Sequence, residues 1–184
     1  MRHAPIDPTL FSTNRERLTA LLEPHSIAVL NANDLLPTNA DGTLPMQPNS
    51  DLFYLSGIEQ EETILLLAPN ASQESLREVL FLREPNALLK VLEGHKLSKE
   101  EATRVSGIRN VRWLSEFPGA FHHLMCEAKK VYLNRNEHGR AEGAVQTRED
   151  RFVDDCLRRY PLHAYGRLAR LLHRLRLVKS PAEI

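Results

Sequence analysis

Apolar residues open the chain at helical spacing. Leu10, Phe11, Leu18, Leu21 and Leu22, with Asn14 among them, share one side of a helix, and Pro24 stops the run. Asp7 before Pro8 marks its start, because an aspartate caps free amides and a proline at the first helical position gives up no needed N–H. Ser26 to Ala32 is then a continuous apolar run of strand length, followed by a stretch rich in Asn, Pro, Asp and Gly from Asn33 to Asn49 that reads as a surface loop. Phe53-Tyr54-Leu55, ended by Gly57, reads as a short β-prone run. Thr63 to Ala68 and Glu78 to Leu82 read as two strands joined through Pro69 to Ser75.

The second half alternates in the same way. Ser98 and Glu101 have the spacing of a capping box, which predicts a short helix ending near Gly107. Asn110 to Leu114 reads as a strand, Phe117 to Ala128 as a helix turning Phe121, Leu124 and Met125 inward, and Val131 to Leu133 as the next strand. After a polar loop from Asn134 to Gln146, Thr147 with Asp150 starts a helix carrying Phe152, Val153, Cys156 and Leu157 on one side. Beyond Pro161 a basic helix carries Leu168, Leu171, Leu172 and Leu175. Strands interleaved with helices predict an α/β domain, a mixed sheet flanked by helices. No internal repeat or low-complexity tract stands out. Ser180-Pro181-Ala182-Glu183 again combines cap, proline and glutamate, announcing a helix of which Ile184 is the last residue given. A helix needs more than one turn to hold, so a longer natural protein is expected.

Composition narrows the class. With 184 residues, 42% hydrophobic and 26% charged, the chain suits one soluble core-forming domain. Twenty-four basic residues balance twenty-four acidic ones, so no nucleic acid and no membrane surface is expected as a partner. No apolar run approaches the roughly 18 residues of a membrane span, and no signal peptide is visible. Cys126 and Cys156 alone make neither a disulfide scaffold nor a zinc knuckle, so a reducing, cytoplasmic setting is expected.

The chain carries few residue patterns that point to chemistry. The glycines form no phosphate-binding or dinucleotide-binding pattern, and there is no nucleophile elbow or zinc-protease helix. His122, His123 and Cys126 could bring two ligands to one helix face, short of the three or four that zinc takes, and read as ordinary helix residues. Asp154-Asp155 point apart, and Glu61-Glu62 and Glu100-Glu101 read as solvated. The basic run Arg158, Arg159, Arg167, Arg170, Arg174, Arg176 and Lys179 lacks aromatic stacking partners and reads as a solvated or partner-facing surface. No assembled active site is legible.

Three stretches, in order, resemble the creatinase/aminopeptidase P family. Asn49-Ser50-Asp51-Leu52-Phe53-Tyr54-Leu55-Ser56-Gly57 is similar to its Asn/Asp-Ser-Asp-aromatic-aromatic-Tyr-Leu-Thr-Gly segment. Leu80-Phe81-Leu82 followed by Leu92-Glu93-Gly94 resembles its strand and Trp-Glu-Gly segment. Leu175 to Ile184 (Leu-Arg-Leu-Val-Lys-Ser-Pro-Ala-Glu-Ile) resembles the junction into its catalytic domain. Phe11 to Arg17, with Arg15 and Arg17, fits the family's first helix. Gln47, Pro48 and Leu92 depart from the pattern, standing where Arg, a polar residue and Trp are usual.

The resemblance implies a ribonuclease H-like N-terminal accessory domain over residues 1–178, with residues 179–184 opening a pita-bread catalytic domain. It implies a Xaa-Pro aminopeptidase as parent, releasing an N-terminal residue that precedes proline. Two divalent metal ions, commonly manganese, would be held by Asp, Asp, His, Glu and Glu of the catalytic domain, and none in this chain. A prolidase, a creatinase-like enzyme or a protein-binding pseudo-peptidase shares the architecture. Implied partners are the chain's own catalytic domain, other subunits of a homo-oligomer and proline-containing peptides. Residues for substrate access or subunit contact are expected at Asn49, Ser50, Asp51, Phe53 and Tyr54. The polar ones are expected on a loop before a strand, and the aromatics either walling a neighbouring subunit's cleft or filling the core, with Asp51 capping a turn.

Overall fold

The computed structural model describes residues 4–86, 94–141 and 145–184. Leu92 and Glu93 of the second resembling stretch lie outside them. Six strands form one sheet in the order β4-β3-β2-β1-β5-β6: β1 Ser26–Asn31, β2 Ile64–Leu67, β3 Glu78–Leu82, β4 Val111–Trp113, β5 Lys130–Leu133 and β6 Ala164–Arg167. Only β2 runs against the others. It pairs antiparallel with β1 and β3, while β1 with β5, β5 with β6 and β3 with β4 are parallel.

Helices α1 Pro8–Thr19, α2 Ser50–Ser56, α3 Lys99–Ser106 and α6 Leu168–Leu177 cover one face, burying Leu18, Leu52, Leu55, Ala102 and Leu172 against Leu30, Leu65 and Leu80. Helices α4 Phe117–Glu127 and α5 Arg148–Arg159 cover the other, setting Phe121, Leu124 and Val153 on Val29, Leu66 and Phe81. With both faces covered, β1 and β2 are apolar at nearly every position, which is why they read as continuous runs rather than alternations. The mixed sheet flanked by helices is as the sequence predicts.

The predicted caps form. Asp7 Oδ1 accepts from the Thr9 amide at 2.9 Å. Ser98 and Glu101 exchange bonds of 2.8 and 3.1 Å, as do Thr147 and Asp150 at 3.1 and 3.2 Å. A capping side chain of this kind contributes about 1 kcal/mol.

Other expectations need correction. Phe53-Tyr54-Leu55 is the middle of α2, not a strand. Asn49 Oδ1 accepts from the Asp51 and Leu52 amides at 3.0 Å each, Leu52 and Leu55 bury one side, and Gly57 at φ 67° ends the helix. The strand β6 takes up Ala164–Arg167, in the stretch after Pro161 that reads as the start of the basic helix, which begins only at Leu168. It is a half-exposed edge strand with no apolar run, and Gly166 leaves room there for the Tyr132 ring, which would lie 2.6 Å from an added Cβ. Leu157 is exposed rather than on the core side of α5. Glu61 is buried, not solvated, and pairs with the equally buried Lys96 and, at 3.8 Å, with Arg83. The sequence gives no local hint of a partner 35 residues away. At Ser180, by contrast, the predicted cap forms over the 3-10 turn Pro181–Glu183, with the Ser180 amide bonded to Glu183 at 2.7 Å.

One tripeptide recurs at two helix ends. Ser56-Gly57-Ile58 closes α2 and Ser106-Gly107-Ile108 closes α3. In each the serine hydroxyl donates back one turn at 2.7 Å and accepts from the isoleucine amide, the glycine is left-handed and the isoleucine is buried. Between these two ends sits Arg15 of α1, 2% exposed. Its Nη1 donates to Leu55 O at 2.7 Å and Ser106 O at 2.9 Å, and its Nε to Glu78 at 2.5 Å. The adjacent Asn14 donates to Tyr54 O at 3.1 Å, and Arg17 to Leu175 O and Val178 O at 3.2 and 3.0 Å. Thus α1 gathers the carboxyl ends of α2, α3 and α6, where helix carbonyls lack partners and the macrodipole is negative.

Gly57→Ala places a Cβ 2.4 Å from the Phe11 ring in a backbone conformation that L-residues avoid. Urea unfolding is expected to show a loss of about 2 kcal/mol or more. Gly119→Ala, in open space inside α4, is expected to gain about 0.5–1 kcal/mol. Equal effects at the two positions would contradict this account of Gly57.

Candidate functional site

The expected site residues fall on the first turns of α2 and divide by role. Asn49 is its cap and also donates to Asn33 Oδ1 at 3.3 Å. Ser50 and Asp51 meet α6: Arg176 Nη1 donates to Asp51 Oδ1 at 2.7 Å and reaches Ser50 Oγ at 3.3 Å. The second Asp51 oxygen accepts from Asn134 Nδ2 at 3.1 Å, just past the end of β5. Phe53 packs edge-on to Phe11, ring centres 6.1 Å apart, and so is a contact between α1 and α2. Tyr54 lies under the Arg176 guanidinium, 5.4 Å from its ring centre, a cation–π contact. Its hydroxyl is buried without a hydrogen-bond partner of good geometry among the described residues. Burial, and then the nearby Glu183 carboxylate, raise the Tyr54 phenol above its ordinary range. The polar three therefore sit at a helix start rather than on a loop before a strand, and the aromatics are half-buried against α1 and α6.

Asn49 and Asn134 also border a cleft of about 540 Å³ over the carboxyl ends of β1 and β5. Its floor holds residues that sequence reasoning did not single out. Glu149, the second residue of α5, accepts from the Asn31 amide at 3.2 Å and from Asn31 Nδ2 at 3.0 Å. Asp34, from the loop after β1, accepts from the Arg148 amide and from Arg151, both at 2.7 Å, and so occupies the positive end of α5. Burial pushes the Glu149 carboxyl above the usual range, while the Asn31 donors and the Asn134 backbone amide pull part of that shift back. Glu149 Oε1 and Asn134 Oδ1 are buried and have no hydrogen-bond partner among the described residues. The available sequence signal was position: Asn31 closes a parallel strand and Asn134 follows another, where polar residues meet ligands in open α/β sheets.

Elsewhere the nucleophile and ligand candidates stay apart. The Cys156 thiol is pushed up to about 12 by burial and by the charges of Asp155 and Glu149, so it is an unreactive core group. His122 and Cys126 do share a face, 4.0 Å apart, and His122 Nδ1 bonds the Tyr160 hydroxyl at 2.8 Å.

Comparison with known proteins decides the family. A family model described as "Aminopeptidase P, N-terminal domain" matches residues 11–132. The chain belongs to the aminopeptidase P N-terminal domain family. It is 25% identical over 177 residues to the Xaa-Pro aminopeptidase of Escherichia coli (strain K12), a match covering 95% of this chain and 40% of that protein. It is 21% identical over 175 residues to intermediate cleaving peptidase 55 of Schizosaccharomyces pombe, covering 95% and 36%. Among solved structures, aminopeptidase P from E. coli superposes with a TM-score of 0.77 at 25% identity, over 97% of this chain and 40% of that one. The chain spans about two fifths of the length of the curated relatives it matches.

The family resemblance implies metal ions, and the donor sets here do not fit one. Among the described residues no three His, Cys, Asp or Glu side chains converge to hold an ion.

The burial of Glu149 has a pH signature. Its folded pKa lies above the ordinary 4.5, so the folded protein holds the proton more tightly than the unfolded chain does. This group's contribution is most favourable below the unfolded pKa and is lost as pH rises through the folded one. Thermal unfolding from pH 4 to 8 is expected to show Glu149→Gln gaining on the wild type as pH rises. A wild type that gains on the variant would contradict the assignment.

Proposed function

We propose that this chain is the accessory N-terminal domain of a Xaa-Pro aminopeptidase and hydrolyses nothing by itself. Residues 1–178 form the accessory domain and residues 179–184 lead into a catalytic domain that holds two divalent metal ions, manganese among the candidates, and cleaves after an N-terminal residue preceding proline. The carrying observation is the family match over residues 11–132 together with relatives about two and a half times as long. The accessory domain supports a homo-oligomer and shapes access of peptide ends to the catalytic mouth, with Asn49, Ser50, Asp51, Phe53 and Tyr54 as its contributing segment.

Geometry supports that assignment. Arg176 clamps Asp51 and covers Tyr54, and Tyr54 neighbours Glu183, so the segment is tied to the stretch that leads onward. Leu177 and Val178 are 69% and 66% exposed, apolar surface suited to a packed partner domain. The cysteines suit a reducing compartment, which we take to be the cytoplasm. Among the described residues no helix is long and apolar enough to cross a membrane.

Two measurements test the reading. The purified 184-residue chain is expected to bind no stoichiometric manganese and to leave Xaa-Pro peptides intact. Turnover that survives repurification and chelator controls would contradict it. In the full-length protein, Arg176→Ala is expected to lower kcat/KM for Xaa-Pro peptides, or to shift the oligomer, by roughly 2- to 30-fold, the range of residues that position others. Unchanged mass and kinetics would remove the role given to residues 49–54.

A further inference from the structure

After α6 the chain turns at Pro181–Glu183, and one side chain of that turn is folded back onto the domain. Pro181, Ala182 and Ile184 are exposed, whereas the Glu183 side chain is 7% exposed. A carboxylate at that depth needs donors, because taking a charge out of water without them is costly.

Its two oxygens are served differently. Oε2 accepts from the Ser180 amide at 2.7 Å and lies 3.8 Å from Arg17 Nη1 of α1. Oε1 is buried and has no partner of good geometry among the described residues. The neighbouring Tyr54 hydroxyl, from α2, is in the complementary condition, buried and equally without an acceptor of good geometry. One is an acceptor lacking a donor and the other a donor lacking an acceptor, so a small closure of the turn satisfies both. Leaving both buried and unmade is the costly alternative.

The surroundings keep both groups in the states that such a bond requires. Burial pushes the Glu183 carboxyl up, but the Ser180 and Tyr54 donors and then the charge of Lys179 bring it below its ordinary range, so it is ionised at neutral pH. Burial and that carboxylate hold the Tyr54 phenol above its own range, so it keeps its proton. Arg176 covers the Tyr54 ring, and Arg17 ties the approach to the turn through Leu175 O and Val178 O.

We propose that Glu183 is a strap that seats residues 180–183 on α2, with Oε1 accepting from the Tyr54 hydroxyl while Ser180 and Arg17 hold Oε2. Tyr54 and Glu183 come from two stretches far apart in the chain that each resemble the family pattern, and the strap is where those stretches meet. Its consequence is that the path leading onward and the short helix α2 move as one body. That consequence rests on the accessory-domain reading; the strap itself is a contact within this chain and does not.

Amide hydrogen exchange of the 184-residue chain tests the strap, read by NMR at residue 183, whose amide donates to Ser180 O at 3.0 Å. Tyr54→Phe removes one hydroxyl and keeps the ring under Arg176. Were that hydroxyl idle, its loss would relieve a buried unpaired group and exchange would slow or stay the same. The strap instead makes exchange at residue 183 faster by about tenfold or more, the worth of one hydrogen bond to a charged group, with the Gly57 amide at the far end of α2 unchanged. Glu183→Gln is expected to give a similar rise. Tyr54→Phe in that background is expected to add less than about twofold, because the two groups share one bond. No protection at residue 183 in the unsubstituted chain, slower or unchanged exchange in Tyr54→Phe, or additive effects in the double variant would overturn the proposal. None of these readouts depends on peptidase activity, so failure of the strap and failure of the accessory-domain reading are told apart.

Discussion

Arg15 carries a full charge at 2% exposure, and three elements are arranged so that it can. A buried guanidinium is tolerated when its N–H groups find acceptors and a negative charge stands close. Here the acceptors are the last carbonyls of α2 and α3 and the charge is Glu78 at the start of β3. Those carbonyls belong to the unpaired ends of two helices, so one side chain relieves both sets of needs at once. The matched Ser-Gly-Ile closures make this possible, because each turns the chain sharply and leaves its final carbonyls facing α1. Arg17 repeats the arrangement at the end of α6 with less burial.

This gathering of helix ends places the candidate site. With the carboxyl end of α2 held on Arg15 and Asn14, its amino end lies beside the ends of β1 and β5. Asn49 there caps the helix and borders the cleft, and Asp51 reaches both Asn134 and Arg176. The segment that resembles the aminopeptidase P pattern is thus linked by direct bonds to the cleft on one side and to residues 175–183 on the other.

Much of the fold was legible because its signals are local. The caps at Asp7, Ser98 and Thr147 and the apolar runs of β1, β2 and β3 depend on neighbouring residues alone. The misreadings have a common cause in distant partners. Phe53-Tyr54-Leu55 has strand propensity, but the Asn49 cap, Gly57 and the pull of Asn14 and Arg15 on Tyr54 O and Leu55 O favour a helix. Glu61 looks like surface until Lys96 arrives, and β6 has no apolar run because an edge strand covering Tyr132 needs a glycine. At the site, the family-like segment drew attention to Asn49 and Asp51. Glu149 and Asn134 were hidden, since a glutamate in a first helical turn and an asparagine after a strand are commonplace until the topology brings them together.

The most direct test is the change in unfolding free energy for Arg15→Met, measured by urea denaturation of the 184-residue chain. Methionine keeps the apolar bulk and leaves Leu55 O, Ser106 O and Glu78 without their donor. A loss of about 3–5 kcal/mol is expected, the usual result of stripping one partner from a buried charged network. A loss under about 1 kcal/mol would contradict the view that this guanidinium holds the helix ends together.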